Sequence, residues 1–560
     1  MRRPVKHRRV DPDAAEINLC SHIRNREHIL SVCLVYPNHY HTGMSNLGFQ
    51  TVYELFASSP GILCERAFLP EIAESNGRCR NDVQPLSLER QRPLSDFDII
   101  AFSVSFEPDY VNILRILNLS RVPVFSAERN ESHPLIIAGG AALFINPEPV
   151  ADFIDLICIG EGEEMIPSIV SKLMSPGDPD RRELLLGLSA IPGIYVPRFH
   201  QPIYKAGKLT GFHTEPEVSC GIRRVCAQLD RHPPSQSIIL TENTEFGDMF
   251  LVEVSRGCPR GCRFCSSGFI YAPFRQHSLE TLIAAVNRGL EYRNKIGLVG
   301  AAVSDHHAIG ALCRHIVERG GCVSVSSLRV DSLDSDMLDA LTASGHKTIA
   351  LAPEGGSQRL RDLIRKNLTE QQILDACDTL ISRDILNLKL YFIIGLPTET
   401  NADLEELVDL VMTIRTKVVE RARANRRLGE ILLSVNPFIP KPFTPFQWNG
   451  MEPLSSLKRK QRMLELRFRG IPNLRFKMES LKEAYFQAAL SRGDRRCSTL
   501  LVEMAAGQTL KKSAAVCGID MDEMVYRDIP TEEILPWDVI GSADKELLTK
   551  DFHRAFGKKG

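Results

Sequence analysis

Three cysteines on one short segment carry the clearest chemical signal in the chain. Cys258, Cys262 and Cys265 stand in the string VEVSRGCPRGCRFCSSGF, in a C-x3-C-x2-C spacing directly after the apolar run 250–254. Thiolates are soft ligands, and three of them on one loop can bind three irons of a cubic iron–sulfur cluster. The fourth iron is then open to a small molecule. The alternatives are free thiols or a structural zinc site, although zinc sites usually use four ligands in paired C-x2-C halves and this chain has no second C-x2-C.

The cysteine segment lies in an alternation of strands and helices that is typical of a full or partial β/α barrel of the TIM type. The predicted strands are 250–254, 296–303, 323–328, 348–351, 389–394 and 431–436. A helix predicted at 404–418 carries one apolar stripe, formed by Leu404, Leu407, Val408, Val411 and Val418. Active sites of such barrels form at the carboxyl ends of the strands. The polar residues at those ends are Ser304, Asp305, Arg329, Asp331 and Glu354, followed by the turn 395–397.

An α/β pattern also precedes the cysteines, with predicted strands at 30–35, 99–104, 135–138 and 156–159. Small or turn-forming residues follow these strands, and strand ends of this kind line a ligand crevice in doubly wound sheets. Glycines at such ends either admit a ligand close to the backbone or serve as tight turns in a domain that binds nothing.

The triplet, with Phe264 just before its third cysteine, resembles the signature of the radical S-adenosylmethionine (SAM) superfamily. The strings SSLRVDSL, IALAPEGGSQRLRDLIRKN and YFIIGLPTET resemble the later strands of its cores. This resemblance implies a [4Fe–4S] cluster on the three cysteines, whose electron cleaves bound SAM to a 5′-deoxyadenosyl radical. It also implies an electron donor of the flavodoxin or ferredoxin type, an unidentified substrate, and SAM contacts from Phe264, Ser304, Arg329 and Glu354.

Two points leave alternatives for the residues that bind SAM. Arg329 and Glu354 could instead form a structural ion pair, because ionic networks recur without function. The Gly-Gly-Glu string that many members carry after the second strand is absent, and the chain has GAAVS at 300–304.

The strings DIIAFSVSFE, PLIIAGGAALFINPEPVADFIDLICIGEGEE and YPNHYHTGMSNLGFQ resemble the amino-terminal cobalamin-binding-type domain that precedes some radical SAM cores. The resemblance implies a Rossmann-like α/β domain and leaves cobalamin binding as one of two alternatives. It rests on Ser103, Gly139, Gly140, Gly160 and Glu161.

No histidine is assigned to cobalt. The string DHHAIG at 305–310 matches a cobalt-ligating pattern but lies in the catalytic region. We expect His307 to lie at the start of a helix that is capped by Asp305. His39 and His41 receive no ligand role, because lone loop histidines are more often solvated.

Composition indicates a soluble globular protein of several domains. The chain has 560 residues, 43% apolar and 24% charged residues and a formal net charge of −1. Fifteen cysteines without regular pairing fit a reducing cytoplasm, and no apolar run is long enough to span a bilayer. The predicted parts are a basic, disordered arm at 1–28, the α/β domain at 29–235, the barrel at 236–445, and a mainly helical region at 446–560.

The segment 458–482 carries nine Lys or Arg and two Glu. Such a stretch could contact RNA, but solvated helical faces are commoner and no stacking platform accompanies it. A further expectation is that the tail SRGDRRCSTL closes over the barrel mouth. Three hypotheses remain: a radical SAM enzyme that uses cobalamin for methylation, a cobalamin-independent radical modifier of RNA or protein, and an iron–sulfur sensor without turnover. The substrate and a second cluster cannot be derived from the sequence.

Overall fold

The computed structural model describes residues 16–20, 28–71, 74–75, 78–79, 83–177, 179–425, 427–541 and 544–557. The amino-terminal part contains a six-stranded sheet in the order β2-β1-β3-β4-β5-β6, parallel except for the last pair. Its strands are β1 Leu30–Tyr36, β2 Ile62–Phe68, β3 Ile99–Ser103, β4 Leu135–Gly139, β5 Leu156–Cys158 and β6 Ile194–Tyr195. In such an order the connections reverse direction beside β1, which leaves a crevice at the carboxyl ends of β1 and β3.

Helices cover both faces of this sheet, as the alternating pattern predicts. They are Tyr40–Met44, Leu47–Ala57, Tyr110–Leu119, Ala141–Ile145, Gly162–Leu173 and Arg181–Ser189. A β-hairpin of the strands His200–Lys205 and Lys208–Thr214 follows the sheet. The four predicted strands are present, whereas β2 and β6 were not predicted. Strand β2 has charged Glu65 and Arg66 at its centre, both almost fully buried. Arg66 is paired with Glu16 and Glu89, which allows this charged side chain to be buried. Because charged residues interrupt its apolar run, the strand could not be recognised from hydrophobicity.

The second part is a partial barrel of seven parallel strands. They are β7 Met249–Glu253, β8 Lys295–Val299, β9 Cys322–Val325, β10 Thr348–Glu354, β11 Asn387–Ile394, β12 Ile431–Pro437 and β13 Leu474–Met478. Strands β7 to β9 form one ladder and β10 to β13 another, and a bridge between Leu328 and Leu351 joins them. The six predicted strands are confirmed, with β8 shorter than expected because it ends at Val299 and a turn begins at Ala301.

Helices on the outside of the barrel separate the strands. They are Leu279–Leu290, Ile309–Glu318, Ser335–Ala343, Gln358–Leu363, Glu370–Ser382, Asn401–Asn425 and Leu454–Phe468. Several begin at capping residues: Ser278, Asp334 and Thr369 each accept a backbone N–H of the first turn. The predicted stripe of the helix Asn401–Asn425 is buried in the barrel core, as its apolar spacing requires.

The carboxyl-terminal part is mainly helical, as predicted, with helices Leu481–Arg492, Cys497–Ala505, Leu510–Cys517, Met521–Tyr526 and Lys545–Ala555. The expectation that the tail SRGDRRCSTL closes the barrel mouth is wrong. Arg495 pairs with the buried Glu148 of the amino-terminal part at 3.0 Å, and Arg496 pairs with Asp494. The tail therefore joins the carboxyl-terminal helices to the first domain.

The boundaries of the four predicted parts remain predictions, and β13 lies beyond the one at 445. Most of the arm 1–28 lies outside the described residues, but Ile17–Asn18 forms a ladder with Ile239–Leu240. The three cysteines of the triplet are free thiols, as are Cys33, Cys313 and Cys377. Among the described helices, none is both long and apolar enough to cross a lipid bilayer.

Candidate active site

The three cysteines lie on a loop that leaves the carboxyl end of β7. Cys262 is buried, while Cys258 and Cys265 are half-buried. Burial raises the pKa of all three thiols, and each thiol has another of the three among its electrostatic neighbours. At Cys262 the cations of Lys366 and Arg329 act against this rise. The fold therefore gathers three thiols beside positive charge, which suits ligands that bind metal as thiolates.

Two elements far along the chain hold the cysteine loop in place. The backbone N–H of Arg263 donates to the Ile364 carbonyl at 3.0 Å, and its side chain donates to the Leu363 carbonyl at 2.7 Å. Arg263 also pairs with Asp551 of the helix Lys545–Ala555 at 3.0 Å. Sequence reasoning missed this role of the last helix, because nothing in its own spacing indicates which loop it contacts.

Arg329 and Glu354 both lie beside the cysteines but do not pair with each other. Arg329 forms two hydrogen bonds with Asp331, at 2.9 and 3.2 Å, and the Glu354 carboxylate lies 3.5 Å from Lys366 Nζ. Burial raises the pKa of Glu354, and Lys366 partly offsets that rise. Glu354 also has a φ of 65°, which is uncommon for a residue other than glycine and recurs at functional sites. Lys366 is thus a further candidate that the sequence did not single out.

Ser304 and Phe264 occupy the same region. Ser304 is buried, with its hydroxyl 3.1 Å from that of Ser332 and 3.4 Å from the Arg329 backbone nitrogen. Phe264 packs against an apolar cluster beside the loop, formed by Leu360, Leu363, Ile364, Leu396, Phe438 and Phe446. A contact of either residue with SAM stays a prediction.

A cavity of about 660 Å³ lies between the amino-terminal sheet and the barrel. From the sheet side it is lined by the predicted residues Ser103, Gly139, Gly140, Gly160 and Glu161, and from the barrel side by strands β7 to β9 and the turn at Gly300 and Ala301. Arg256 and Tyr271 of the cysteine loop also line it. The structure therefore brings the predicted strand ends together and sets them opposite the barrel.

Two of the glycines are required by the backbone itself. Gly140 has a φ of 115°, and a Cβ at this position would lie 2.4 Å from the Val104 carbonyl oxygen. Gly160 has a φ of 151°, and its Cβ would lie 2.7 Å from the Val225 backbone. Both glycines thus have a structural reason to be present, whatever the cavity holds.

Glu161 lines the cavity, and its carboxylate is bound by three arginines. Arg275 and Arg256 donate to it at 2.6 to 2.8 Å, and Arg224 lies 3.8 Å away. Burial would raise the pKa of Glu161, but Arg275 and Arg256 outweigh burial and lower it. This residue stays ionised and links the first domain to the cysteine loop.

Among the described residues that line the cavity, none is a histidine. His39 lies 3.1 Å from the Leu69 carbonyl, and His307 lies 3.0 Å from the Gln276 side chain. The expected Asp305 cap is wrong: the helix Ile309–Glu318 follows Ala308 without a side-chain cap, and Asp305 pairs with Arg260. The guanidinium group competes for this carboxylate more strongly than a backbone N–H does.

Comparison with known proteins agrees with this architecture. Residues 48–197 match the family profile described as radical SAM proteins, N-terminal, and residues 252–411 match the profile of the radical SAM superfamily. An uncharacterized protein of Methanocaldococcus jannaschii is 28% identical over 84% of this chain and 91% of its own length. An uncharacterized methyltransferase of Pyrococcus horikoshii is 28% identical over 56% of this chain and 65% of its own.

Two solved structures match the chain at low sequence identity. The methyltransferase TsrM of Kitasatospora setae, described with cobalamin and a [4Fe–4S] cluster bound, is 15% identical with a TM-score of 0.49, and 75% of this chain and 74% of TsrM are covered. The enzyme OxsB, described with aqua-cobalamin and SAM bound, is 17% identical with a TM-score of 0.43, over 68% of this chain and 51% of OxsB.

The fold and the two profile matches define a radical SAM enzyme. The chain belongs to the radical SAM superfamily, whose cofactors are a [4Fe–4S] cluster and SAM. Within the described ranges no three His, Cys, Asp or Glu side chains converge on a single metal ion. The ligands of a cubic cluster bind three different irons and need not converge in this way.

Proposed function

We propose that this enzyme holds a [4Fe–4S] cluster on Cys258, Cys262 and Cys265 and cobalamin in the interdomain cavity, for methylation of a substrate. The observation that carries the proposal is the cavity itself. It opens toward the barrel interior on one side and is bounded on the other by the carboxyl ends of β3, β4 and β5. Doubly wound sheets bind ligands at such ends.

The residues around the cavity fit the flat face of a corrin ring. Ser103 and Gly139 on the sheet side face Gly300 and Ala301 on the barrel side, so small side chains leave space between the two domains. Apolar side chains of β7 and of the helix Gly162–Leu173, including Leu251 and Ile166, complete much of the wall. Because no described lining residue is a histidine, we infer that cobalamin binds without a protein imidazole on cobalt.

Arg329, Lys366 and Glu354 would hold SAM beside the cluster. The two cations suit its carboxylate, and the Glu354 carboxylate suits its hydroxyl or amino groups, through charge-assisted hydrogen bonds. When bound, the cluster supplies the electron for SAM cleavage and cobalamin supplies a methyl carrier. The protein itself contributes binding, orientation and a half-buried cysteine loop.

Anaerobic reconstitution tests the proposal. The protein is loaded with iron and sulfide, titrated with hydroxocobalamin, and then reduced with dithionite in the presence of SAM. We expect stoichiometric cobalamin binding in the visible spectrum and release of 5′-deoxyadenosine. If hydroxocobalamin does not bind at concentrations well above micromolar, the methylation proposal fails and radical SAM chemistry survives. A loaded cluster without SAM cleavage would favour the sensor alternative.

A cobalamin-independent modifier of RNA is the second candidate, and the basic segment 458–482 favours it. Eight of its nine Lys and Arg side chains are exposed. In the described part of the chain, six of them have no carboxylate partner: Lys458, Arg459, Arg462, Arg469, Lys477 and Lys482. A tRNA-2-methylthio-N(6)-dimethylallyladenosine synthase of Anaplasma marginale is 26% identical to this protein over a region that covers 36% of the chain.

RNA binding would show a characteristic dependence on salt. Each phosphate contact contributes a slope of about −0.7 to the plot of log affinity against log salt for single strands. The affinity for transfer RNA, measured by fluorescence anisotropy, should therefore fall steeply as the salt concentration rises. Arg459→Gln combined with Arg462→Gln should make this slope less steep. Binding that is absent at low salt would reject this candidate.

A further inference from the structure

The cysteine loop closes at a very short neck. Strands Ser255–Arg256 and Arg275–Gln276 pair antiparallel, with Arg256 opposite Arg275, and the whole loop with its three cysteines lies between them. A ladder of two residues on each side is marginal by itself. Directly opposed like charges destabilise such a pair further. The neck therefore needs stabilisation from elsewhere in the fold.

Glu161 of the amino-terminal domain supplies contacts to both strands of this neck. Its carboxylate accepts two hydrogen bonds from Arg275, at 2.6 and 2.8 Å, and one from Arg256 at 2.8 Å. It also accepts the Ala227 backbone N–H at 2.9 Å. The Glu161 side chain is 3% exposed, so water screens these contacts little.

The other carboxylates near the neck pair with only one of its two strands. Glu253 and Glu163 accept hydrogen bonds from Arg256 at 2.6 and 2.9 Å. Arg275 donates to carbonyl oxygens besides Glu161, but no second carboxylate pairs with it in the described structure. Glu161 is thus the carboxylate that joins the two arginines across the ladder.

We infer that Glu161 is a positioning residue that clamps the neck of the cysteine loop and holds the three thiols in the arrangement that binds the cluster. The inference rests on the proposed function, since it assigns the cluster to this loop. It adds that the first domain acts on the cluster through the neck of the loop, without touching a cysteine.

Alkylation of the thiols in cluster-free protein tests the clamp directly. Iodoacetamide labelling is followed residue by residue by mass spectrometry in the full chain, in wild type and in Glu161→Gln. The matched control is Glu164→Gln, three residues further along the chain, whose carboxylate pairs with His232 and does not line the cavity. Exposed Cys220 reports reagent reactivity, and buried Cys33 and Cys377 report global opening.

Glu161→Gln should speed labelling of Cys258, Cys262 and Cys265 severalfold and leave the three reference cysteines unchanged. In reconstituted protein it should speed iron loss to a chelator about tenfold, the lower end of the effect seen when groups that support metal ligands are removed. Glu164→Gln should match wild type in both measurements.

Equal labelling in Glu161→Gln and wild type overturns the inference. So does faster labelling at Cys33 and Cys377 as well, because that reports general unfolding. If Glu161→Gln does not fold, Arg275→Lys replaces it: the charge stays but the two-pronged contact with Glu161 is lost. Failure of wild type to assemble a cluster would reject the proposed function, while the labelling of cluster-free protein would still decide the clamp.

Discussion

The Glu354 carboxylate lies 3.5 Å from the ammonium group of Lys366, and both lie beside Cys262. Arg329 is a second cation beside Cys262, but its guanidinium group is held by Asp331 at 2.9 Å. Two cations and the Glu354 carboxylate thus lie beside one of the three cysteines. A ligand that carries both an amine and a carboxylate finds complementary charges there.

Removing one of these groups should weaken SAM binding and spare the cluster. A hydrogen bond to a charged group contributes about 1.5–3 kcal/mol, which corresponds to roughly tenfold to hundredfold in dissociation constant. Lys366→Met, Glu354→Gln and Arg329→Met are compared by equilibrium dialysis with radiolabelled SAM. Arg383→Met, at a half-buried arginine that pairs with Asp339 on the outside of the barrel, is the control. Unchanged affinity in Arg329→Met would mean that Arg329 only binds Asp331.

The three cysteines should be individually essential for the cluster. Cys262→Ala should abolish the broad absorbance of the cluster and most of the bound iron, since two thiolates do not retain a cubic cluster that needs three. Cys313→Ala, at a buried cysteine on an outer helix of the barrel, should retain both. Full iron and sulfide content in Cys262→Ala would contradict the assignment of the ligands.

Cluster assembly should accelerate as the pH rises. Burial raises the pKa of Cys258, Cys262 and Cys265 in the metal-free protein, so the thiolate fraction at neutral pH is small. Below the pKa of a thiol this fraction grows about tenfold per pH unit, and the thiolate is the ligand. The initial rate of chemical reconstitution is measured at pH 7 and pH 8.5. A rate that is independent of pH would show that thiol ionisation does not limit assembly.

A bulky side chain at Ser103 should block cobalamin without affecting the cluster. Ser103 ends β3, lines the cavity and forms no side-chain hydrogen bond in the described structure, so Ser103→Trp fills space at little structural cost. Gly140→Trp is a poorer choice, because its positive φ and its contact with Val104 would disturb the fold. Hydroxocobalamin titration and iron analysis are done together, with exposed Ser455→Trp as the control. Normal cobalamin binding by Ser103→Trp would place the cofactor elsewhere.

The last strand of the barrel shows where local patterns fail. Strand β13, Leu474–Met478, alternates half-buried and exposed residues, and its exposed positions are Arg475 and Lys477. These charges made the segment look like part of a basic helical region. Its place in the sheet is fixed by pairing with β12, which begins more than forty residues earlier. Such pairing depends on packing, not on the composition of the strand.

The sequence by itself determined the cysteine spacing, the alternation of strands and helices, and the small residues at the strand ends of the first domain. These features are local, because they arise from residues that are neighbours along the chain or repeat with the period of one element. The family follows from them, and so does the expectation that the site lies at the carboxyl ends of the barrel strands.

Only the tertiary structure decided which charges meet. It pairs Glu354 with Lys366, Arg329 with Asp331, and Glu161 with Arg256 and Arg275. It also sets the helix Lys545–Ala555 against the cysteine loop. A buried charge needs an opposite charge beside it, because an unpaired charge in the interior is costly. Which residue becomes that partner depends on how distant elements of the chain pack together. Spacing along the chain carries no information about that choice.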